Sequence, residues 1–131
     1  MRVLFILATL VTVSAEPAAP SVIYDQDINT YVCQYTDMAD PKWDSHNGDQ
    51  VCPMRIGHPP HHDEIMYSAF KVKGKTVTLV RNHDNPSQSR WTRVLLNGKP
   101  ALEYEINRSH FIVSTMDISE TLDYRDEVAT E

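Results

Sequence analysis

The feature that most constrains the fold is the Asn97-Gly98 pair, which separates two short runs of β-branched and apolar residues. Both residues tolerate positive φ, as a two-residue type I′ turn requires, so the pair predicts a β-hairpin. Similar runs bounded by turn residues predict further strands. The predicted strands are 66–73, 76–81, 91–96, 101–106 and 111–115. We therefore expect a mainly β or α+β fold, an antiparallel sheet meander with at most one or two short helices.

The N-terminus has the three parts of a secretory signal. Arg2 supplies a positive charge, residues 3–13 are apolar except for two threonines, and small or branched residues lead to Ala15. We expect cleavage after Ala15, with Ala19 as the alternative. The apolar run is too short to span a bilayer core of about 30 Å. These observations predict a secreted, extracellular protein with no membrane contact. Delivery into a host is one destination that such secretion allows.

The segments around the predicted sheet have weaker patterns. Residues 30–35 predict a short strand, whereas Thr36 to Asp63 is dense in turn-forming residues and predicts irregular structure. Ser119 is a suitable N-cap and predicts one short helix in the tail, with a solvated tail as the alternative. The predicted organisation is a signal peptide at 1–15, a flexible lead at 16–29, a single β-rich domain at 30–116 and an acidic tail at 117–131.

The chain has two cysteines, Cys33 and Cys52. Two thiols in one small exported domain usually pair, so they predict one intramolecular disulfide. In the loop-entropy model, closing the 18 intervening residues stabilises the fold by about 3 kcal/mol.

Charge is unevenly distributed along the chain. The formal net charge is -6 and becomes -7 once Arg2 is removed with the signal peptide. Residues 16–64 and 114–131 are acidic, whereas residues 65–113 carry eight bases and three acids. This asymmetry matters for a charged partner, but the overall negative charge disfavours tight non-specific binding to RNA.

The basic segment contains candidate contacts for a phosphate or a protein partner. Strand alternation predicts that Lys71, Lys73 and Lys75 share one face, beside Arg90, Trp91 and Arg93. Cations next to an aromatic ring are typical of an RNA surface, and also of a solvated sheet face. RNA contact therefore remains open beside a protein partner.

The segment from Pro86 to Ile106 resembles the core of small secreted fungal guanyl-specific ribonucleases. In both, a Pro/Ser-containing loop leads into a strand with Arg-Val, an Asn-containing turn and a second hydrophobic strand. Tyr31-Val32-Cys33 is similar to the Tyr-x-Cys motif of the ribonuclease-like effectors of plant-pathogenic fungi. That family places the partner of this cysteine near the C-terminus, whereas Cys52 is early in the chain. The family also packs an early helix on its sheet, whereas residues 36–52 are loop-like.

The resemblance implies ribonuclease chemistry, which needs a general base, a general acid and a phosphate-binding cation. Arg93 matches the cation of the family. The strand Thr76–Leu79 lacks the carboxylate that would act as the general base. Asn107 lies near the position of the histidine that acts as the general acid in the family, and His110 comes three residues later. We therefore predict no catalytic residue and no cofactor, although His61 or His110 would offer a substitute proton carrier.

The stretch from His58 to Glu64 is a weak metal-binding candidate. His58, His61, His62 and Asp63 have side chains that bind Zn²⁺ or Cu²⁺. Pro59 and Pro60 extend the backbone between them, so a polar surface loop is the preferred interpretation. We predict no metal site.

Asn107-Arg108-Ser109 is an N-glycosylation sequon in a predicted turn of an exported chain. It predicts that Asn107 is exposed and carries a glycan.

These observations predict a secreted, monomeric, non-catalytic interaction protein of the ribonuclease-like effector kind, which binds a host or extracellular partner. One alternative is an extracellular ribonuclease or metal-dependent enzyme. Another is a disulfide-stapled β-sandwich effector of unrelated ancestry.

Overall fold

The computed structural model describes residues 21–44, 48–84 and 90–126. They form nine strands and one 3₁₀ turn at Pro41–Trp43. The strands are β1 (Ile23–Tyr24), β2 (Asn29–Asp37), β3 (Gln50–His58), β4 (Ile65–Val72), β5 (Lys75–Asn82), β6 (Trp91–Leu96), β7 (Lys99–Asn107), β8 (His110–Thr115) and β9 (Glu120–Asp126). The predicted signal peptide and the first part of the lead lie outside the described residues. Within those residues no helix is long and apolar enough to cross a membrane.

The strands form one antiparallel sheet that closes on itself. From β2 to β9 each strand pairs with its neighbour in the chain, and β9 then pairs with β2. The short β1 adds to the edge of β3 beyond β2. The result is an up-and-down barrel, which has no free strand edges in its ring. The predicted antiparallel meander and its mainly β class are confirmed.

The barrel interior contains the core because alternate residues of each strand point inward. Phe70, Leu79, Leu96, Val113 and Leu122 are each at most 1 % exposed. The predicted disulfide is also confirmed: Cys33 on β2 and Cys52 on β3 are bonded, with their Cα atoms 6.1 Å apart. It crosses two adjacent strands inside the barrel and fits an oxidising compartment.

The Asn97-Gly98 turn forms as predicted. Asn97 has φ of 52° and Gly98 has φ of 82°, the left-handed conformations that a type I′ hairpin requires. The side chain of Asn97 also accepts a hydrogen bond from the Thr78 amide at 2.9 Å. This bond ties the turn between β6 and β7 to β5, so the turn also closes one end of the barrel.

Two predictions of secondary structure are wrong. Gln50–His58 forms β3 instead of irregular structure; Pro53 pairs with Thr30 of β2 and lies just before the ladder with β4, which begins at Met54. A missing amide hydrogen there interrupts no β3–β4 bond. Glu120–Asp126 forms β9 instead of a helix or a solvated tail. The many acidic residues of this segment obscured the alternation of inward and outward side chains that buries Glu120, Leu122 and Tyr124.

The two ends of the barrel differ. One end contains the β4–β5, β6–β7 and β8–β9 turns and the β2–β3 connection, in which Trp43 packs on Tyr35, with ring centroids 5.4 Å apart. The opposite end contains the β3–β4, β5–β6 and β7–β8 connections. We call the first the covered end and the second the open end.

Candidate functional site

A cavity of about 520 Å³ occupies the interior of the open end. Its wall is mainly apolar and aromatic, with a few polar groups. Tyr31, Met54, Ile56, Met66, Phe70 and Phe111 supply the apolar part, and Ser68, Arg81, His83, Thr92, Glu103 and Tyr124 are among the polar residues. Size and lining match those of small-molecule binding pockets.

Arg81, Glu103 and Tyr124 form a polar cluster inside this cavity. The Arg81 Nε donates to Glu103 Oε1 at 2.7 Å, and Nη2 donates to Oε2 at 2.6 Å. Arg81 also donates to the Tyr124 hydroxyl, which in turn donates to Glu103. The Glu103 side chain is 5 % exposed and that of Arg81 is 21 % exposed. This buried carboxylate is thus fully paired, as its burial requires.

The cluster has no net charge. Burial opposes the charged form of Arg81, but the hydrogen bond to Glu103 and the charge interactions with Tyr124 and Glu103 together outweigh it, so the pKa of Arg81 lies above its ordinary value. Burial also raises the pKa of Tyr124 well above its ordinary value, and Glu103 adds to this against the opposing effect of Arg81. At neutral pH the cluster is therefore a cation, an anion and a neutral phenol.

Aromatic rings surround the cluster. Tyr124 contacts Tyr31, Phe70 and Phe111, with ring centroids 5.0 to 5.5 Å apart. The guanidinium carbon of Arg81 lies 6.0 Å from the centroid of the Phe111 ring. These contacts hold the rings in fixed orientations, so the wall of the cavity is preorganised.

The predicted metal candidates lie in the β3–β4 connection, at the rim of the open end. His58 Nδ1 is 3.9 Å from an Asp63 oxygen, and His62 Nδ1 is 3.0 Å from a Glu64 oxygen. Among the described residues, no three His, Cys, Asp or Glu side chains come together as a metal site would require. His58 and His62 instead form separate pairs with nearby carboxylates.

The three lysines do not share a face, so that prediction is wrong. Lys73 occupies a turn with φ of 50°, which interrupts the alternation between β4 and β5. Lys71 is exposed on the outer face and donates to Thr76 Oγ1 at 3.2 Å. Lys75 lies 5.9 Å above the Tyr35 ring at the covered end. The turn therefore separates a basic run that is continuous in the sequence.

The remaining candidate contacts lie near one another on the outside. Arg90 is exposed and donates to the Ile106 carbonyl at 2.9 Å. Trp91 is exposed and packs against Tyr104, with ring centroids 4.7 Å apart. Arg93 is exposed and lines an outer groove of about 550 Å³ whose other lining residues include Val80, Leu95, Leu102 and Met116.

The residues considered for ribonuclease chemistry do not converge. Arg93 is on the outer face of β6, whereas His110 at the start of β8 pairs with Asp123 at 2.8 Å. His61 is exposed in the β3–β4 connection. No contact in the described part of the chain joins these three groups.

The predicted glycosylation residue is accessible. Asn107 is exposed at the start of the β7–β8 turn, and its Oδ1 accepts a hydrogen bond from the Ser109 amide at 3.0 Å. The turn belongs to the open end, so a glycan there would stand beside the cavity entrance.

The sequence analysis did not bring Arg81, Glu103 and Tyr124 together as a site. One signal was present: Glu103 shares a strand face with Ala101, within the predicted strand 101–106. An acid on an inward-facing position needs a buried cation, and Arg81 lies on the corresponding face of β5.

Comparison of the chain with protein-family models, with curated proteins and with solved structures finds no match.

Proposed function

We propose that this chain is a secreted, non-catalytic binding protein that takes a small, largely apolar molecule into the open end of its barrel. The observation that carries the proposal is the cavity of about 520 Å³, lined by aromatic and aliphatic side chains around one polar cluster. Barrels of this architecture commonly hold ligands in their interior. The disulfide and the sequence of the N-terminus support secretion.

Binding is favoured over catalysis because the charged groups of the cavity are already engaged. Arg81 and Glu103 bond to each other and to Tyr124. A general acid or base must exchange a proton with substrate near neutral pH. An ion pair that is also hydrogen-bonded to a third side chain resists that exchange. It instead holds a hydrogen-bonding group in place inside the cavity.

The expected ribonuclease-like effector identity stays a prediction, since the comparisons do not bear on it. The described residues contain no α-helix packed on the sheet. Support for the resemblance therefore remains limited to the segment Pro86–Ile106 and Tyr31-Val32-Cys33.

Titration with Nile red, an uncharged apolar fluorophore, tests the proposal. We expect saturable binding and an increase in emission as the dye leaves water. Thr92→Phe places a ring into the cavity wall from β6 and should weaken binding by roughly tenfold or more. Arg93→Phe adds the same ring to the outer face of the same strand and should leave binding unchanged. Equal affinity of both variants and the unchanged protein would contradict the proposal.

A second candidate is a protein partner on the outer groove, as the sequence analysis proposed. Leu95 is 40 % exposed and Met116 is 64 % exposed, and both line that groove. Exposed apolar groups in a concave surface favour protein contact. If this candidate holds, Leu95→Glu abolishes co-purification of a defined partner from the surroundings of the protein, and Thr92→Phe does not.

A further inference from the structure

The polar cluster inside the cavity restricts which small molecules fit, and this inference rests on the proposed function. Arg81 has five N–H donors. Nε and Nη2 are directed at Glu103 and Tyr124. The two hydrogens of Nη1 have no acceptor among the described residues, and 21 % of the Arg81 side chain remains accessible. The cavity therefore offers a donor for an oxygen atom of a ligand.

The same cluster disfavours an anion. The charge of Arg81 is matched by Glu103, whose two oxygens lie on the same guanidinium at 2.7 and 2.6 Å. A ligand carboxylate on Nη1 would place a second negative charge near Glu103. Besides Arg81, the only basic side chain among the described residues of the cavity wall is His83. An ion that leaves water for such a site is destabilised unless it is paired.

A ligand without any polar atom leaves this donor unused. The hydrogen bond of an uncharged oxygen to a charged donor contributes more than one between neutral groups. The surrounding rings of Tyr31, Phe70 and Phe111 present flat apolar surface beside the guanidinium. A ring-bearing ligand makes the best use of such walls.

We propose that the cavity binds uncharged apolar molecules that carry a carbonyl oxygen, with the ring or hydrocarbon body against the aromatic wall and the oxygen on Arg81. A carboxylate of the same shape binds more weakly, because it meets Glu103. A hydrocarbon of the same shape also binds more weakly, because it leaves Arg81 without an acceptor.

Displacement of Nile red by three molecules of matched shape tests the proposal. The series is 2-acetylnaphthalene, 2-ethylnaphthalene and 2-naphthoate at neutral pH. We expect the ketone to displace the dye at a concentration roughly tenfold lower than either of the others. Failure of the dye and of all three molecules to bind would overturn both the proposed function and this inference. Binding of the dye with equal affinities across the series, or with the carboxylate strongest, would overturn this inference alone.

A double variant assigns the preference to the cluster. Arg81→Met with Glu103→Met removes both charges together and leaves neither one unpaired. In this variant the ketone should lose its advantage over the hydrocarbon, while Arg55→Met on the exposed face of β3 should retain it. A ketone preference that survives in the double variant would overturn the assignment to Arg81. Should the double variant fail to fold, the ranking of the three molecules on the unchanged protein still decides the question.

Discussion

Arg81 on β5 and Glu103 on β7 form a two-pronged ion pair that reaches over β6 inside the barrel, with N···O distances of 2.7 and 2.6 Å. The register explains how they meet: Arg81 pairs with Val94 on β6, and Val94 pairs with Ala101, two residues before Glu103. Both side chains therefore point inward at neighbouring levels of the barrel. The pair is the polar centre of an otherwise apolar cavity.

Breaking this pair on one side should destabilise the protein strongly. Arg81→Met leaves the Glu103 carboxylate buried without its cation, and such losses cost about 3–5 kcal/mol. Equilibrium denaturation of the variant should show this decrease in the free energy of unfolding.

The double variant Arg81→Met/Glu103→Met is the matched control for that prediction. It should recover much of the lost stability, because no unpaired charge remains. A double variant as unstable as Arg81→Met alone would show that the ion pair is not the source of the effect.

The disulfide should be present in the protein produced under oxidising conditions and should contribute to its stability. Cys33 and Cys52 enclose 18 residues, so reduction should lower the free energy of unfolding by about 3 kcal/mol. Mass spectrometry after alkylation without reductant should find no modified thiol. Two alkylated thiols in the unreduced protein would contradict the account.

Stability should fall at alkaline pH because of two buried phenols. Burial, followed by the hydrogen bond to Glu120, raises the pKa of Tyr35, and burial also raises the pKa of Tyr124. A group with a raised folded pKa stabilises the fold below its unfolded pKa, about 10 for tyrosine, and this contribution is lost as the pH rises toward the folded value. The free energy of unfolding should therefore decline above about pH 10.

Tyrosinate absorbance and phenylalanine variants provide the measurement. In the folded protein some tyrosines should ionise well above the ordinary range, and Tyr35→Phe or Tyr124→Phe should reduce the alkaline loss of stability. Ionisation of all phenols near their ordinary pKa while the protein is still folded would contradict this prediction.

The protein should not hydrolyse RNA. Arg93 lies on the outer face of β6, and His110 is paired with Asp123 at 2.8 Å. Without a positioned acid and base, each typically worth 10²- to 10⁴-fold, cleavage of a guanosine-containing dinucleotide should stay at background. Turnover that disappears in His61→Ala or His110→Ala would instead identify the chain as a nuclease.

The strands of the second half of the chain could be predicted because local chemistry fixes them. Asn97-Gly98 defines a hairpin by its φ angles, and runs of apolar and β-branched residues flank it. β3 could not be predicted in the same way, since a proline normally argues against a paired strand, yet Pro53 pairs with Thr30 of β2 just before the β4 ladder begins. β9 was hidden because its inward face includes Glu120.

Closure of the sheet could not be predicted either, because it depends on pairing between β2 and β9, which are far apart in the chain. The cavity and the Arg81–Glu103 contact are consequences of that closure. The residues that we selected as candidates were those with conspicuous local patterns, and the turn at Lys73 separated the lysines among them. Long-range register therefore decides the site here, and no local motif encodes it.

Methyl NMR of the methionines tests the central claim most directly. Met54 and Met66 line the cavity, Met116 lines the outer groove, and Met38 is exposed at 77 % elsewhere. On titration with 2-acetylnaphthalene, the signals of Met54 and Met66 should shift and saturate together while those of Met38 and Met116 stay in place. Shifts at Met116 with none at Met54 and Met66, or no shift at any of the four, would contradict a ligand site in the open end of the barrel.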